Sequence, residues 1–338
     1  MNKLRGRSGA SMTRRKLLIA LGAGLLAPLS SAFAQQPPTN PHRIGFLGLT
    51  TAAGVASRFD ALKTGLRELG YVEGRNLVIE ARWAEGKYER LPDLAAELVL
   101  LKVEVLVTYS TPGTRAAKQA TTTIPIVMAT VGEAVATGLV PSLARPGGNI
   151  TGVSFFGAEI NAKRLELLKE ALPHIRRVAV LFNPDNVAAK RELQVIGVTA
   201  GALKVELEQF AARSPGEFES AFAAMTKRRV DAVVINEDPM IVANARSLAS
   251  LAARHRIASI GFSELAEDGG LMAYAANFPA MWRRSAYFVD RILKGADPGG
   301  LPIEQPTQFD LVINRKAANA LGIKIPQSLL QRADRVID

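Results

Sequence analysis

The chain of 338 residues contains no cysteine. That absence excludes disulfides, thiol chemistry and a lipid-modified N-terminal cysteine, and it is compatible with an oxidising compartment. Histidine is nearly as scarce. His42, His174 and His255 fall at a tether, at a helix end and in the basic segment Arg254-His255-Arg256, which are places for solvated side chains. Metal-ligand spacing, G-x-S-x-G, the P-loop and G-x-G-x-x-G are all missing, and no nucleophile–base pairing is visible. The expectation is therefore no metal, no cofactor and no catalytic set. Acids are absent from residues 1–34, which hold six of the basic residues; discounting these lowers the formal charge from +11 to +5. No Lys/Arg block interleaved with aromatics remains, so a nucleic-acid partner is not expected. Beyond the N-terminal leader no apolar run approaches the ~20 residues that span a bilayer, so no stable membrane insertion is expected either.

The leader itself is informative. A basic start, an apolar stretch from Leu17 to Ala27, Pro28 and the ending Ala32-Phe33-Ala34 read as a signal peptide cleaved before Gln35. Thr13-Arg14-Arg15-Lys16-Leu17-Leu18 is similar to a twin-arginine export signal, with Sec export as the alternative. Residues 35–41 form a polar, proline-bearing tether, and the expected location is the periplasm.

An apolar fraction of 48% over this length can fill two cores of roughly 150 residues each. Strand and helix alternate from the start of the mature chain: strand Arg43–Leu49, a helix carrying Phe59, Leu62, Leu66 and Leu69, strand Leu77–Trp83, helix Leu91–Leu101, strand Val103–Thr108, helix Thr111–Ala120 and strand Ile124–Met128. Pro141, Pro146, Gly147 and Gly148 forbid a continuous helix across Ala129–Phe156, which reads as a crossing. Alternation then restarts, Arg177-Val178-Ala179-Val180-Leu181 echoing Arg43-Ile44-Gly45-Phe46-Leu47. The pattern predicts an α/β protein with two Rossmann-like lobes, each a parallel sheet flanked by helices, and a cleft between them. A single large doubly wound sheet is the alternative. The predicted lobes are 42–155 plus about 267–300, and 156–266 plus about 301–338, with the chain crossing near 154–157, 264–270 and 301–306.

Ligands of open α/β sheets bind outside the carboxyl ends of the strands. There the chain places Thr50 and Thr51 after its first strand, then Thr111-Pro112, Asn183-Pro184 and Asp238-Pro239 after three others. Each of these dipeptides sets a side-chain oxygen where it can cap a helix with Pro in the first turn, either as a cap alone or as part of a ligand site. Ser110, Thr111 and the N–H groups of Gly113 and Thr114 suit a carboxylate. Asn236, Glu237 and Asp238 suit an ammonium group or hydroxyls, unless Asp238 is engaged in capping its own helix. Tyr109, Phe156, Phe262 and Tyr274 are candidate aromatic walls, each equally at home in a core. Donors facing acids fit a zwitterion.

Longer stretches carry a family likeness. Gly138-Leu139-Val140, the run Ser142-Leu143-Ala144-Arg145-Pro146-Gly147-Gly148-Asn149-Ile150-Thr151-Gly152-Val153-Ser154, Arg291-Ile292-Leu293-Lys294-Gly295, Leu301-Pro302-Ile303-Glu304-Gln305-Pro306-Thr307, Leu311-Val312-Ile313-Asn314 and Arg332-Ala333-Asp334 resemble the ABC-transporter substrate-binding proteins related to tryptophan/tyrosine-binding proteins. The resemblance implies a type I periplasmic-binding-protein architecture with three hinge crossings and a monomer that encloses a small solute by hinge closure. It also implies delivery to an ABC permease and its ATPase. The ligand it implies is an amino acid, aromatic first, or a related small carboxylate. The sequence departs from the family pattern at Gly132-Glu133-Ala134-Val135, where members have Gly-Asp-Pro-Val, and at Tyr274-Ala275, where members have Tyr-Gly; Glu133 thereby joins the candidate ligand-binding residues. A ligand sensor docking on a membrane receptor and an exported enzyme are the alternative functions.

Overall fold

The computed structural model describes residues 40–338, so the expected signal peptide and most of the tether lie outside the described residues. The first lobe is built from β1 (His42–Gly48), α1 (Ala56–Glu68), β2 (Leu77–Trp83), α2 (Leu91–Leu100), β3 (Val105–Thr108), α3 (Ser110–Ala120), β4 (Ile126–Gly132) and β5 (Ile150–Phe155). Its five strands are parallel, in the order β2-β1-β3-β4-β5. Helices cover both faces of such a sheet, so its inner strands have no polar side. β3 and β4 are buried at every residue, whereas β2, at the edge, is half-buried along most of its length.

At Phe156 the chain passes to the second lobe: α4 (Gly157–Ala171), β6 (Arg177–Phe182), α5 (Ala189–Ala202), β7 (Glu206–Ala211), α6 (Phe218–Lys227), β8 (Ala232–Ile235), α7 (Pro239–Val242), α8 (Ala245–Arg254), β9 (Ala258–Gly261), α9 (Ser263–Glu267) and β10 (Met272–Ala276). It then returns as α10 (Phe278–Leu293), whose Met281, Trp282 and Phe288 enter the first lobe's core. Ile303 and Glu304 stay with that lobe: Glu304 N donates to Gly152 O (3.0 Å) and Ser154 N donates to Glu304 O (2.9 Å). A last passage leads to β11 (Phe309–Asn314), α11 (Arg315–Leu321), α12 (Gln327–Arg332) and β12 (Arg335–Ile337). The second sheet runs β12-β11-β10-β9-β8-β6-β7, with β11 antiparallel to β10 because the chain re-enters from the opposite end.

Two sheets exclude the single doubly wound alternative. Ala129–Gly132 extends β4 instead of opening a crossing, with a register shift between Met128 and Val131. The Pro/Gly-rich residues 133–149 join two neighbouring strands of one sheet, so they do not connect the lobes. The second passage lies at Asn277, not at 264–270, because β10 pairs with β9 and β11. Residues 301–304 belong to the first lobe, held by the unpaired edge of β5. Between β8 and β9 the helical stretch is broken at Ala243–Asn244 into α7 and α8.

Candidate functional site

The carboxyl ends of both sheets open on one narrow cleft, which encloses about 40 Å³ of free volume. The first lobe contributes the start of α3. Ser110 takes a left-handed φ of 60°, and the Thr111 hydroxyl donates to Gly132 O at 3.1 Å. Gly113 lets this helix sit hard on the sheet: a Cβ there would lie 2.6 Å from both Leu49 Cδ1 and Thr108 Oγ1. Tyr109 is fixed from behind. Its hydroxyl accepts from Leu49 N (3.0 Å) and Thr50 N (3.2 Å), and its ring packs 4.9 Å from Trp282, which belongs to an aromatic cluster with Phe46, Phe59 and Trp83. Phe155 and Phe278 meet edge to face at 5.2 Å and form another wall. Arg58 lies over the Phe278 ring at 4.4 Å and directs Nε and Nη2 to Glu264 Oε1 of the second lobe (3.0 and 2.7 Å). Among the described residues its Nη1 has no hydrogen-bond partner.

The second lobe contributes charge. Asp238 accepts from Asn183 (3.1 Å), Asn186 (3.2 Å), Met240 N (3.0 Å) and, across the cleft, the Tyr88 hydroxyl (3.0 Å to each oxygen). Burial raises its pKa against the effect of these donors, and burial with the nearby Asp238 charge raises that of Tyr88 well above the ordinary value. Glu192 on α5 accepts through Oε2 from Asn236 (2.8 Å) and Asn161 (3.3 Å). Burial, then the charges of Glu237 and Glu133, push its pKa up to about 8. Its other oxygen is accommodated by the glycine at the hinge: a Cβ on Gly157 would lie 2.7 Å from Oε1. Behind them Arg164 is fully buried, donating to Tyr274 O (2.9 Å) and Asn161 Oδ1 (3.0 Å), with Nη2 3.3 Å from Glu237 Oε2. Burial raises the pKa of Glu237 despite that guanidinium, whereas at Glu264 burial is outweighed by the Arg58 charge, the hydrogen bonds and the Arg164 charge together, which lower it.

Of the residues predicted from the sequence, Tyr109, Ser110, Thr111 and Asp238 line the cleft. Asn183 and Asn236 stand behind it as partners of the acids. Thr50 and Thr51 lie on a separate groove with Glu85, Arg213 and Asn244. Glu133 bridges the lobes, accepting from Ala158 N (3.0 Å) and Arg191 Nε (3.1 Å). Three aromatic walls are displaced. Phe156 is 37% exposed and gives its place to Phe155, Phe262 is buried in the second lobe's core, and the Tyr274 ring stacks on Phe309. Of the three expected caps, Asp238 caps α7; Thr111 lies inside α3, and Asn183 turns onto Asp185 N (3.0 Å) without starting a helix. Sequence reasoning missed Arg58, Arg164, Glu192 and Phe278. A signal existed for the first three: each stands four residues before a core residue on its helix's apolar stripe, at Leu62, Leu168 and Ile196. Among the described residues no group of three or more His, Cys, Asp or Glu could hold a metal ion, and no helix is long and apolar enough to cross a membrane.

A family model described as ABC transporter substrate binding protein matches residues 49–337. A tyrosine-binding protein of Clostridioides difficile (strain R20291) is 26% identical over 260 residues, covering 77% of this chain and 74% of that protein. An ABC domain from Streptococcus pneumonia, solved in complex with L-Trp, is 26% identical with a TM-score of 0.82, over 88% of this chain and 100% of the other. A conserved domain protein from Vibrio cholerae is 28% identical with a TM-score of 0.82 and the same coverage.

Proposed function

The chain belongs to the ABC transporter substrate binding protein family, and from that premise we propose that it captures a small amino acid, aromatic by preference, in the interlobe cleft. The observation that carries this reading is the division of the cleft itself. Ser110, Thr111 and Arg58 offer donors and positive charge on one side, the second lobe offers carboxylates on the other, and Tyr109, Phe155 and Phe278 supply flat apolar walls. A ligand with a carboxylate, an ammonium group and an aromatic side chain fits all three. The relatives that bind tyrosine or hold L-Trp support the same class. The lobes close around the ligand by movement at Phe156, Asn277 and residues 305–308, and the closed form is delivered to an ABC permease with its ATPase. The protein performs no chemistry on its ligand: His42 and His255 stand at the strand ends opposite the cleft, away from the Ser110 and Thr111 hydroxyls. Export by the twin-arginine leader and cleavage after Ala34 place it in the periplasm, checked by N-terminal sequencing that begins at Gln35. Titration calorimetry of the mature protein against the amino acids tests the assignment. Saturable binding of L-tryptophan or L-tyrosine is expected, and no heat from any amino acid sinks it.

A further inference from the structure

Every oxygen of Asp238 already has protein donors, so this residue is a poor receiver for a ligand's nitrogen. Glu237 differs. Its side chain is 8% exposed and lines the cleft, Oε2 faces Arg164, and Oε1 has no hydrogen-bond partner. A buried carboxylate oxygen left bare is costly unless a donor arrives. Beside it Glu192 lines the same wall, with two amide donors on Oε2 and none on Oε1, and Asn236 joins the two by donating to Glu192 while its own Oδ1 stays unpartnered.

The charges in and just behind the cleft do not balance. Three guanidiniums, Arg58, Arg164 and Arg191, meet five carboxyl groups, Glu133, Glu192, Glu237, Asp238 and Glu264. Glu192 is faced by Glu133 just after β4, by Asn161 and Arg164 on α4, and by Asn236, Glu237 and Asp238 after β8. Burial and then the neighbouring carboxylates favour the protonated form of Glu192, and burial favours it at Glu237 as well, so a proton is retained at this wall. Resting on the function proposed above, we infer that Glu192 and Glu237 form a proton-holding carboxyl pair that receives the ligand's cationic nitrogen, and that the incoming nitrogen displaces the proton into solvent. At the pair one positive charge enters as another leaves, while the ligand's carboxylate brings one negative charge that Arg58 and the donors of the first lobe receive. The pair therefore selects for a protonated amine and against an aromatic acid that has only a carboxylate.

Calorimetry at pH 7 in phosphate and in Tris, with L-tryptophan as probe, reads the proton directly. About one proton per ligand is expected for the wild type and close to none for Glu192→Gln. Glu237→Gln, nearly the same shape, should weaken binding by at least roughly tenfold. Indole-3-propionate, which lacks only the amine, needs no variant and should bind the wild type far more weakly. Tryptophan binding without proton release, or full affinity for indole-3-propionate, overturns this inference and leaves the proposed function standing. Failure of every amino acid to bind overturns both.

Discussion

The two lobes hold their halves of the cleft in place by different physics. Behind Tyr109 and the start of α3 lies an aromatic cluster, Phe46, Phe59, Trp83 and Trp282, whose geometry is set by dispersion and close packing. Its polar content is small, chiefly the Trp282 indole donating to Thr130 Oγ1 at 3.2 Å. Behind Glu192, Glu237 and Asp238 lies an ionic and amide network around Arg164, Asn161, Asn183 and Asn186. An apolar backing tolerates loss of a partner by repacking, but a buried ionic backing does not, since the orphaned charge has no water to turn to. The first lobe thus sets its cleft residues, Arg58 among them, on a rigid apolar backing, whereas the second sets its carboxyl groups on an ionic one.

The most severe way to test this contrast is Arg164→Met. It leaves the volume nearly filled but strips Glu237 of its counter-ion and the Tyr274 and Ile235 carbonyls of a donor. A loss of about 3–5 kcal/mol in unfolding free energy is expected, measured by urea denaturation; a loss below about 1 kcal/mol would show that the guanidinium is not what holds the acids. A second test changes pH. The Glu192 carboxyl is raised from 4.5 to about 8, so its folded form prefers the proton. Stability on its account is full below pH 4.5 and is lost as pH rises through 8. Melting temperatures should accordingly fall less between pH 5 and 8 for Glu192→Gln than for the wild type, and parallel curves would refute the assignment. The smallest effect belongs to the bridge between the halves. Tyr88→Phe deletes one donor to Asp238 and leaves three, so the closed arrangement should weaken by about 1 kcal/mol. Small-angle scattering of the ligand-free variant should give a larger radius of gyration than the wild type; equal radii would assign no closing role to this contact.

Fold class, lobe count and most element positions were legible because they follow from short-range patterns. Continuous apolar runs such as Val105–Thr108 admit only a strand covered on both faces, and stripes such as Leu62 and Leu66 admit only a helix lying on one. The strand-end loops likewise point to Tyr109, Ser110, Thr111 and Asp238, all four of which line the cleft. Glu192, Arg58 and Arg164 could have been marked from the sequence as charges intruding on apolar helix faces, but not their partners, since Arg58 and Glu264 are 206 residues apart and Arg164 and Tyr274 are 110 apart. The assignment of β10 to the second sheet, the return of Ile303 and Glu304 to the edge of β5, and the one-residue difference that turns Phe155 rather than Phe156 into the cleft were decided by tertiary structure. The physical reason is one of range. Periodicity and turn chemistry are properties of neighbouring residues, whereas strand pairing, charge balance and the pKa of a buried acid depend on which distant segments the packed chain brings within a few ångströms of each other.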